Sequence, residues 1–224
     1  LKWDTTYTAN LGFDFLFFRG RLGGSIDAYI SNTKNLLMTR TVPIMNGYNK
    51  IWDNVGETQN KGIELSLNTV NIRKQNFTWN TDFSFFLNRD KIVELRGDGL
   101  DDVNNKWFIG KPLSVYYDYK IVGLWQEGDE FTFTDEDGNT KVHQTGAQPG
   151  DAKLYDANGD GVISTDDRVI IGSTRPSFTM SMGNRFQYKD LYISFLLNGK
   201  FGTWMTDNVA NIGSWAFGSG NYIH

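Results

Sequence analysis

Residues 156–167 read Asp156-Ala157-Asn158-Gly159-Asp160-Gly161-Val162-Ile163-Ser164-Thr165-Asp166-Asp167. Asp, Asn and Asp stand at positions 1, 3 and 5, Gly at 6, an apolar residue at 8 and a carboxylate at 12, which is the spacing of a calcium-binding loop. The chemistry explains the spacing. Short oxygen-bearing side chains on alternate residues can converge on one hard cation, Gly161 permits the sharp bend, and the Val162 carbonyl supplies a further oxygen. The expected ligands are Asp156, Asn158, Asp160, Val162, Ser164 and Asp167, and the expected ion is Ca2+ or Mg2+. Position 12 is Asp where Glu is usual, so its shorter arm reaches through one oxygen or through water and holds the ion more weakly. No helical periodicity flanks the loop, since Arg168-Val169-Ile170-Ile171-Gly172 reads as extended. A bound ion would therefore pin the loop; neither catalysis nor helical sensing is expected of it. The competing reading is an Asx-rich turn that carries the same residues without metal.

Other side chains offer less chemistry. Between Trp107 and Trp125, with Tyr116, Tyr117 and Tyr119, aromatic rings could stack on sugars, or pack the loop onto the rim of the fold. The two histidines, His143 and His224, leave a His-based triad or metal site little to work with. Asp135, Glu136 and Asp137 read as a solvated turn ending in Gly138. There is no Cys, which removes disulfides, thiolate-held metals and thiol nucleophiles together. No Gly-rich phosphate loop occurs. These absences make an enzyme the weakest reading, and none is expected.

The elements that must carry these residues are strands. Of 224 residues, 33 are aromatic, 24 are Gly and four are Pro. No run approaches the roughly 20 apolar residues of a membrane-spanning helix. Period-2 alternation dominates instead. Ala9, Leu11, Phe13, Phe15 and Phe17 alternate with polar neighbours, as do Ile26, Ala28 and Ile30, then Ile63, Leu65 and Leu67. Phe77, Trp79, Thr81, Phe83, Phe85 and Leu87 continue the pattern, followed by Phe178, Met180, Met182, Phe186 and Tyr188, and by Leu191, Ile193, Phe195 and Leu197. This predicts six antiparallel strands of roughly 10 to 15 residues each. Short turns near 19–21, 73–76 and 189–190 alternate with long connections near 39–54 and 97–174. One end of the sheet thus carries all the short turns. Such strands, apolar on one face and polar on the other, are the pattern of an antiparallel transmembrane β-barrel, with aromatic residues near strand ends as interfacial girdles. A soluble barrel or sandwich would show the same alternation with its apolar face inward.

Six strands are fewer than the eight that the smallest bacterial single-chain barrels need, so the chain is read as a segment of a larger barrel. Leu1 opens in mid-pattern with no signal segment, which agrees. The expected organisation is strands 1–4 over residues 1–96, a long loop over 97–174, and strands 5 and 6 with the start of a further loop over 175–224. Net charge is −4 with a pI near 5.2, which gives no general basic field for nucleic acid. Residues 97–174 hold 15 acidic and 6 basic residues, so the loop carries −9 and the remainder +5. An acidic, exposed insert on a mildly basic sheet follows.

The chain resembles the SusC-like TonB-dependent outer-membrane transporters of Bacteroidota. The resemblance rests on Leu1-Lys2-Trp3-Asp4, Asn10-Leu11-Gly12-Phe13-Asp14-Phe15 and Arg21-Leu22-Gly23-Gly24-Ser25-Ile26-Asp27-Ala28-Tyr29. It continues through Thr33-Lys34-Asn35-Leu36-Leu37, Asn54-Val55-Gly56-Glu57-Thr58-Gln59-Asn60-Lys61-Gly62-Ile63-Glu64-Leu65 and Ile109-Gly110-Lys111-Pro112-Leu113. Gly150-Asp151-Ala152-Lys153-Leu154-Tyr155-Asp156 and Ile170-Ile171-Gly172-Ser173-Thr174-Arg175-Pro176-Ser177-Phe178 complete it. It implies the C-terminal portion of a 22-stranded barrel in outer-membrane lipid, long loops extracellular and short turns periplasmic. It also implies a missing N-terminal part with a plug that couples to TonB, and a SusD-like surface lipoprotein as partner. Oligosaccharides are the commonest cargo of such proteins, and some carry peptides. The reading from residues alone keeps a second class open: a soluble, calcium-stabilised carbohydrate-binding or adhesion β-module.

Overall fold

The computed structural model describes residues 2–41, 47 and 50–206. Four long strands come first: β1 (Thr5–Phe17), β2 (Leu22–Thr41), β3 (Lys50–Lys74) and β4 (Phe77–Glu94). Six short ones follow: β5 (Val115–Tyr119), β6 (Ile121–Leu124), β7 (Thr132–Thr134), β8 (Thr140–Val142), β9 (Ala152–Leu154) and β10 (Arg168–Ser173). Two more long strands, β11 (Phe178–Tyr188) and β12 (Leu191–Phe201), close the described chain. No helix among the described residues is long and apolar enough to cross a membrane.

The six long strands form one antiparallel sheet in the order β1-β2-β3-β4-β11-β12. Its register carries the sequence alternation across every strand. Phe13, Ile26, Leu65, Phe85, Met180 and Gly199 are successive partners in one row. The neighbouring row is Asp14, Ser25, Ser66, Ser84, Ser181 and Asn198. Because side chains alternate between faces, the first row lies on one side of the sheet and the second on the other. Stacked rings reinforce the apolar side, as in Trp79 on Phe186 at 5.4 Å and Phe85 on Phe178 at 5.6 Å.

Among the described residues no second layer covers the apolar face. Leu11 is 78% exposed, Leu197 56% and Ile63 45%. The buried apolar side chains among the described residues are Ile92, Leu95, Phe108 and Trp125, and none of them belongs to that face. A sandwich would have buried these rows against a second sheet. This face instead has the character of a surface made for lipid.

Three expectations are corrected in extent. Strands β2 and β3 are 20 and 25 residues long, because their ladder continues to the pair Thr41–Lys50 where a loop over 39–54 was expected. Polar side chains do not interrupt a ladder whose bonds are made by backbone. The turn expected over 73–76 narrows to Gln75 and Asn76. Finally, residues 97–174 are not one irregular loop. The chain runs outward through β5, β6 and β7 and returns through β8, β9 and β10, pairing β7 with β8, β6 with β9 and β5 with β10. The division into compact units falls after Ser114 and after Ser173. Residues 97–114, expected with the loop, therefore belong to the sheet unit. Asn221–His224, and the further loop expected there, lie outside the described residues.

Close approach shows at Gly62, which faces Tyr29 across β2 and β3 on the polar side. A Cβ on Gly62 would fall 2.6 Å from the Tyr29 hydroxyl, so only glycine leaves room for that ring. The hydroxyl donates to Asn88 Oδ1 at 3.3 Å and ties β2 to β4 over the gap.

Candidate functional site

Within the unit of residues 115–173, the loop 156–167 is organised by its own amides. Asp156 accepts from Gly159 N at 2.7 Å on Oδ1 and from Gly161 N at 2.8 Å on Oδ2. Asn158 Oδ1 accepts from Asp160 N at 2.9 Å, and Asp160 Oδ1 from Val162 N at 2.8 Å. Asp167 closes the ring: Oδ1 takes the amides of Ala157 and Asn158 at 2.8 and 3.4 Å, and Oδ2 that of Ser164 at 2.7 Å. Ser164 in turn caps the 3-10 turn Thr165–Asp167 in a reciprocal capping box. Gly159 and Gly161 have φ of 77° and 84°, the left-handed region that glycine tolerates.

Asp167 is fully shielded from solvent yet remains well suited to being charged. The amide of Ser164, with those of Ala157 and Asn158, holds its carboxyl below the usual range, outweighing the upward push of desolvation. Every carboxylate oxygen that receives one amide keeps a further lone pair. In this conformation, however, no three Asp, Glu, His or Cys side chains among the described residues gather closely enough to hold an ion. The spacing thus brings Asp156, Asn158, Asp160, Ser164 and Asp167 into one hydrogen-bonded ring, while Val162 contributes its amide.

His143 supports this ring, a role its place in the sequence did not suggest. Its Nδ1 lies 2.7 Å from the Gly161 carbonyl, and its own carbonyl accepts from Ile163 N at 2.7 Å. The His143 ring stacks on Phe133 at 4.7 Å, and Phe133 fills the space a side chain on Gly161 would need. The His-X₁₇-Gly spacing carries no signal of this kind; the bond from Ile163 N to the His143 carbonyl is what joins the two segments.

The aromatics that could stack on sugars or pack the loop part company. Trp107 belongs to the sheet unit, where it is half-buried and paired with Asp102 in a tight turn. Tyr116 and Tyr117 lie half-buried on β5, opposite Gly172 and Ile170. Trp125 is only 4% exposed. It stacks on Phe131 at 4.8 Å, lies under Lys153 Nζ at 4.3 Å and donates through Nε1 to Gln144. Its faces are occupied, so of the two readings Trp125 takes the packing one and offers no stacking platform. A cavity of about 210 Å³ separates it from the ring, lined by Glu130, His143, Lys153 and Asp156.

In the sheet unit, a second cluster gathers where β4 ends. Ile92, Leu95 and Phe108 are buried together with the carboxylate of Asp102. Burial pushes the Asp102 carboxyl up, but hydrogen bonds from Asn105 and Arg96 outweigh it and leave the group below its usual range. Ile92 exchanges backbone bonds with Gly110 and Lys111 at 2.8 and 3.0 Å. Asp90 accepts from Leu113 N and from Arg175 Nη1, both at 2.8 Å. The segment Ile109-Gly110-Lys111-Pro112-Leu113 is thereby bound to the sheet.

Comparison with known proteins gives this arrangement its context. The family model for the TonB dependent receptor-like β-barrel matches residues 1–179. The chain belongs to this family. Its sheet is accordingly part of a TonB-dependent receptor barrel in the outer membrane, and it is SusC-like. Two TonB-dependent receptors of Formosa agariphila are 35% identical over 211 and 213 residues, each covering 90% of this chain. The receptor SusC of Bacteroides thetaiotaomicron is 28% identical over 99% of it. The chain spans about a fifth of the length of these relatives. Among solved structures, those of the RagAB peptide transporter share the fold. One matches at a TM-score of 0.64 with 24% identity, over 93% of this chain and 22% of that one. The open-open state reaches 0.69 with 22% identity, over 92% and 21%. For the TonB-dependent receptor barrel, the uncovered apolar rows are then its lipid face and the serine row its lumen wall.

Proposed function

We propose that the parent protein of this barrel segment imports oligosaccharides or peptides across the outer membrane. In this reading a SusD-like lipoprotein serves at the outer mouth, and TonB acts through the N-terminal part. The observation that carries the reading is the two-faced sheet within a TonB-dependent receptor family. Its residues do not transform cargo. The lumen-side row of Ser25, Ser66, Ser84 and Ser181 offers hydroxyl donors and acceptors to a polar solute, and the apolar rows keep the wall seated in lipid. Uptake of fluorescently labelled oligosaccharides and peptides by cells with and without the parent gene tests it. Uptake of one cargo class that disappears on deletion, and on collapse of the inner-membrane proton gradient, is expected. Uptake unchanged by either would contradict it. Retention of a surface lipoprotein on the affinity-purified parent checks the partner in the same cells.

The loop 156–167 is proposed to take a divalent cation, Ca2+ or Mg2+, through Asp156, Asn158, Asp160 and the Val162 carbonyl. Asp167 would serve mainly as the clasp, with Ser164 beside it. Support comes from the spacing and from the lone pairs left on oxygens already turned into the ring. The ion would supply a fixed centre of positive charge for these oxygens. Calorimetric titration of the parent transporter with Ca2+ should show saturable binding that is lost in Asp156→Ala with Asp160→Ala. Protease cutting between β9 and β10 should then become insensitive to chelator. No binding heat, together with cutting that chelator never alters, would leave the ring as a metal-free Asx turn.

A further inference from the structure

Charges on the apolar face of the sheet begin at one level. On β4 the residues of that face are Phe77, Trp79, Thr81, Phe83, Phe85 and Leu87, and the next is Arg89. On β3 they include Leu67, Leu65 and Ile63, and the next is Lys61, the register partner of Arg89. Residues 77–87, at about 3.3 Å per residue and a tilt of about 40°, span roughly 25 Å, the height of the apolar band of an outer-membrane barrel. Lys61 and Arg89 therefore stand where hydrocarbon gives way to headgroups. Directly below them the face is hollowed into a groove of about 540 Å³. Ala28 leaves its floor low between Ile30, Ile63 and Leu87, and Lys61 and Arg89 line its head.

The two cations are available. Lys61 makes no ion pair among the described residues. Arg89 Nη1 donates to the carbonyls of Asn88 and Ser177 at 2.9 and 2.8 Å, which fixes the guanidinium without neutralising it. The nearest carboxylate in sequence, Asp90, belongs by alternation to the opposite face and is bound to Arg175.

We propose that this groove seats one anionic, phosphate-bearing membrane lipid, with an acyl chain along Ala28 and the phosphate on Lys61 and Arg89. An apolar trough that opens toward hydrocarbon and ends in two positive charges is complementary to that amphiphile. A polar solute or a free anion would leave the trough unfilled.

Native mass spectrometry of the parent transporter in non-ionic detergent, titrated with dioleoylphosphatidylglycerol or dioleoylphosphatidylcholine, tests the site. Phosphatidylglycerol should be retained in preference to phosphatidylcholine. Lys61→Gln and Arg89→Gln should each lower its retention roughly fivefold, the effect of one basic residue at an anionic surface. Ala28→Leu, which fills the trough and keeps both charges, should lower it as well. Millimolar inorganic phosphate should not displace the lipid. Equal retention of the two lipids, a preference unchanged in Lys61→Gln, or displacement by inorganic phosphate would overturn the proposal. Lys61→Gln alters one exposed side chain, so it keeps the test decisive if Arg89→Gln fails to assemble.

Discussion

At the scale of single residues, Asp167 determines the shape of the acidic unit. Three amides of its own loop converge on its carboxylate, and no other side chain in the loop holds as many. The carboxyl is held below its ordinary value of 3.8, so the charged form favours the closed ring. The sign follows from linkage: stabilisation is complete above about pH 3.8, where the opened loop is also ionised, and is lost as pH falls through the lower value of the closed ring. Resistance of the loop to pepsin, an acid-active protease, should therefore persist at pH 4 and collapse toward pH 2. Asp167→Asn, whose amide group has only one acceptor oxygen, should be cut readily at both. Equal resistance of the two forms at pH 4 would remove Asp167 from this role. The ring was legible in the sequence because alternate oxygen side chains and two glycines encode it locally. Its support was not, because His143 and Phe133 reach Gly161 only through pairing between segments about 20 to 30 residues distant.

At the scale of elements, the long strands obey a simple alternation, and this is why the sheet could be read in advance. Ile63, Leu65 and Leu67 needed no knowledge of their partners to be assigned to one face. The strand ends were harder, since the ladder between Thr33 and Thr41 is held by backbone bonds that polar side chains neither announce nor prevent. The short strands β5 to β10 were hidden for a related reason: three- to six-residue ladders are too brief for periodicity to show. Alternation also makes a directional prediction. Leu65→Arg puts a charge on the apolar face near mid-band and should destabilise the assembled barrel by about 2–4 kcal/mol. Ser66→Arg, one residue on, faces the lumen and should cost much less. Urea titration of the parent barrel in lipid vesicles, followed by heat-modifiable migration, separates the two. Equal losses would mean that the faces are not so divided.

At the scale of the whole molecule, the described chain is an open six-stranded sheet plus a nested arm of three short hairpin ladders, in a family of outer-membrane barrels. Low hydropathy and many aromatics coexist because only one face of each strand meets lipid. The central claim is this division of faces, and spin labels read it directly. Single cysteines at positions 63 to 68 of the parent protein, labelled and reconstituted in bilayers, can be probed with oxygen, which concentrates in lipid, and with a nickel chelate, which stays in water. This stretch brings no native cysteine of its own. Oxygen access should peak at Ile63, Leu65 and Leu67, and nickel access at Glu64, Ser66 and Asn68. Labels at Ile63, Leu65 and Leu67 shielded from both probes, or the opposite phase, would show that the apolar rows face protein or water instead of lipid.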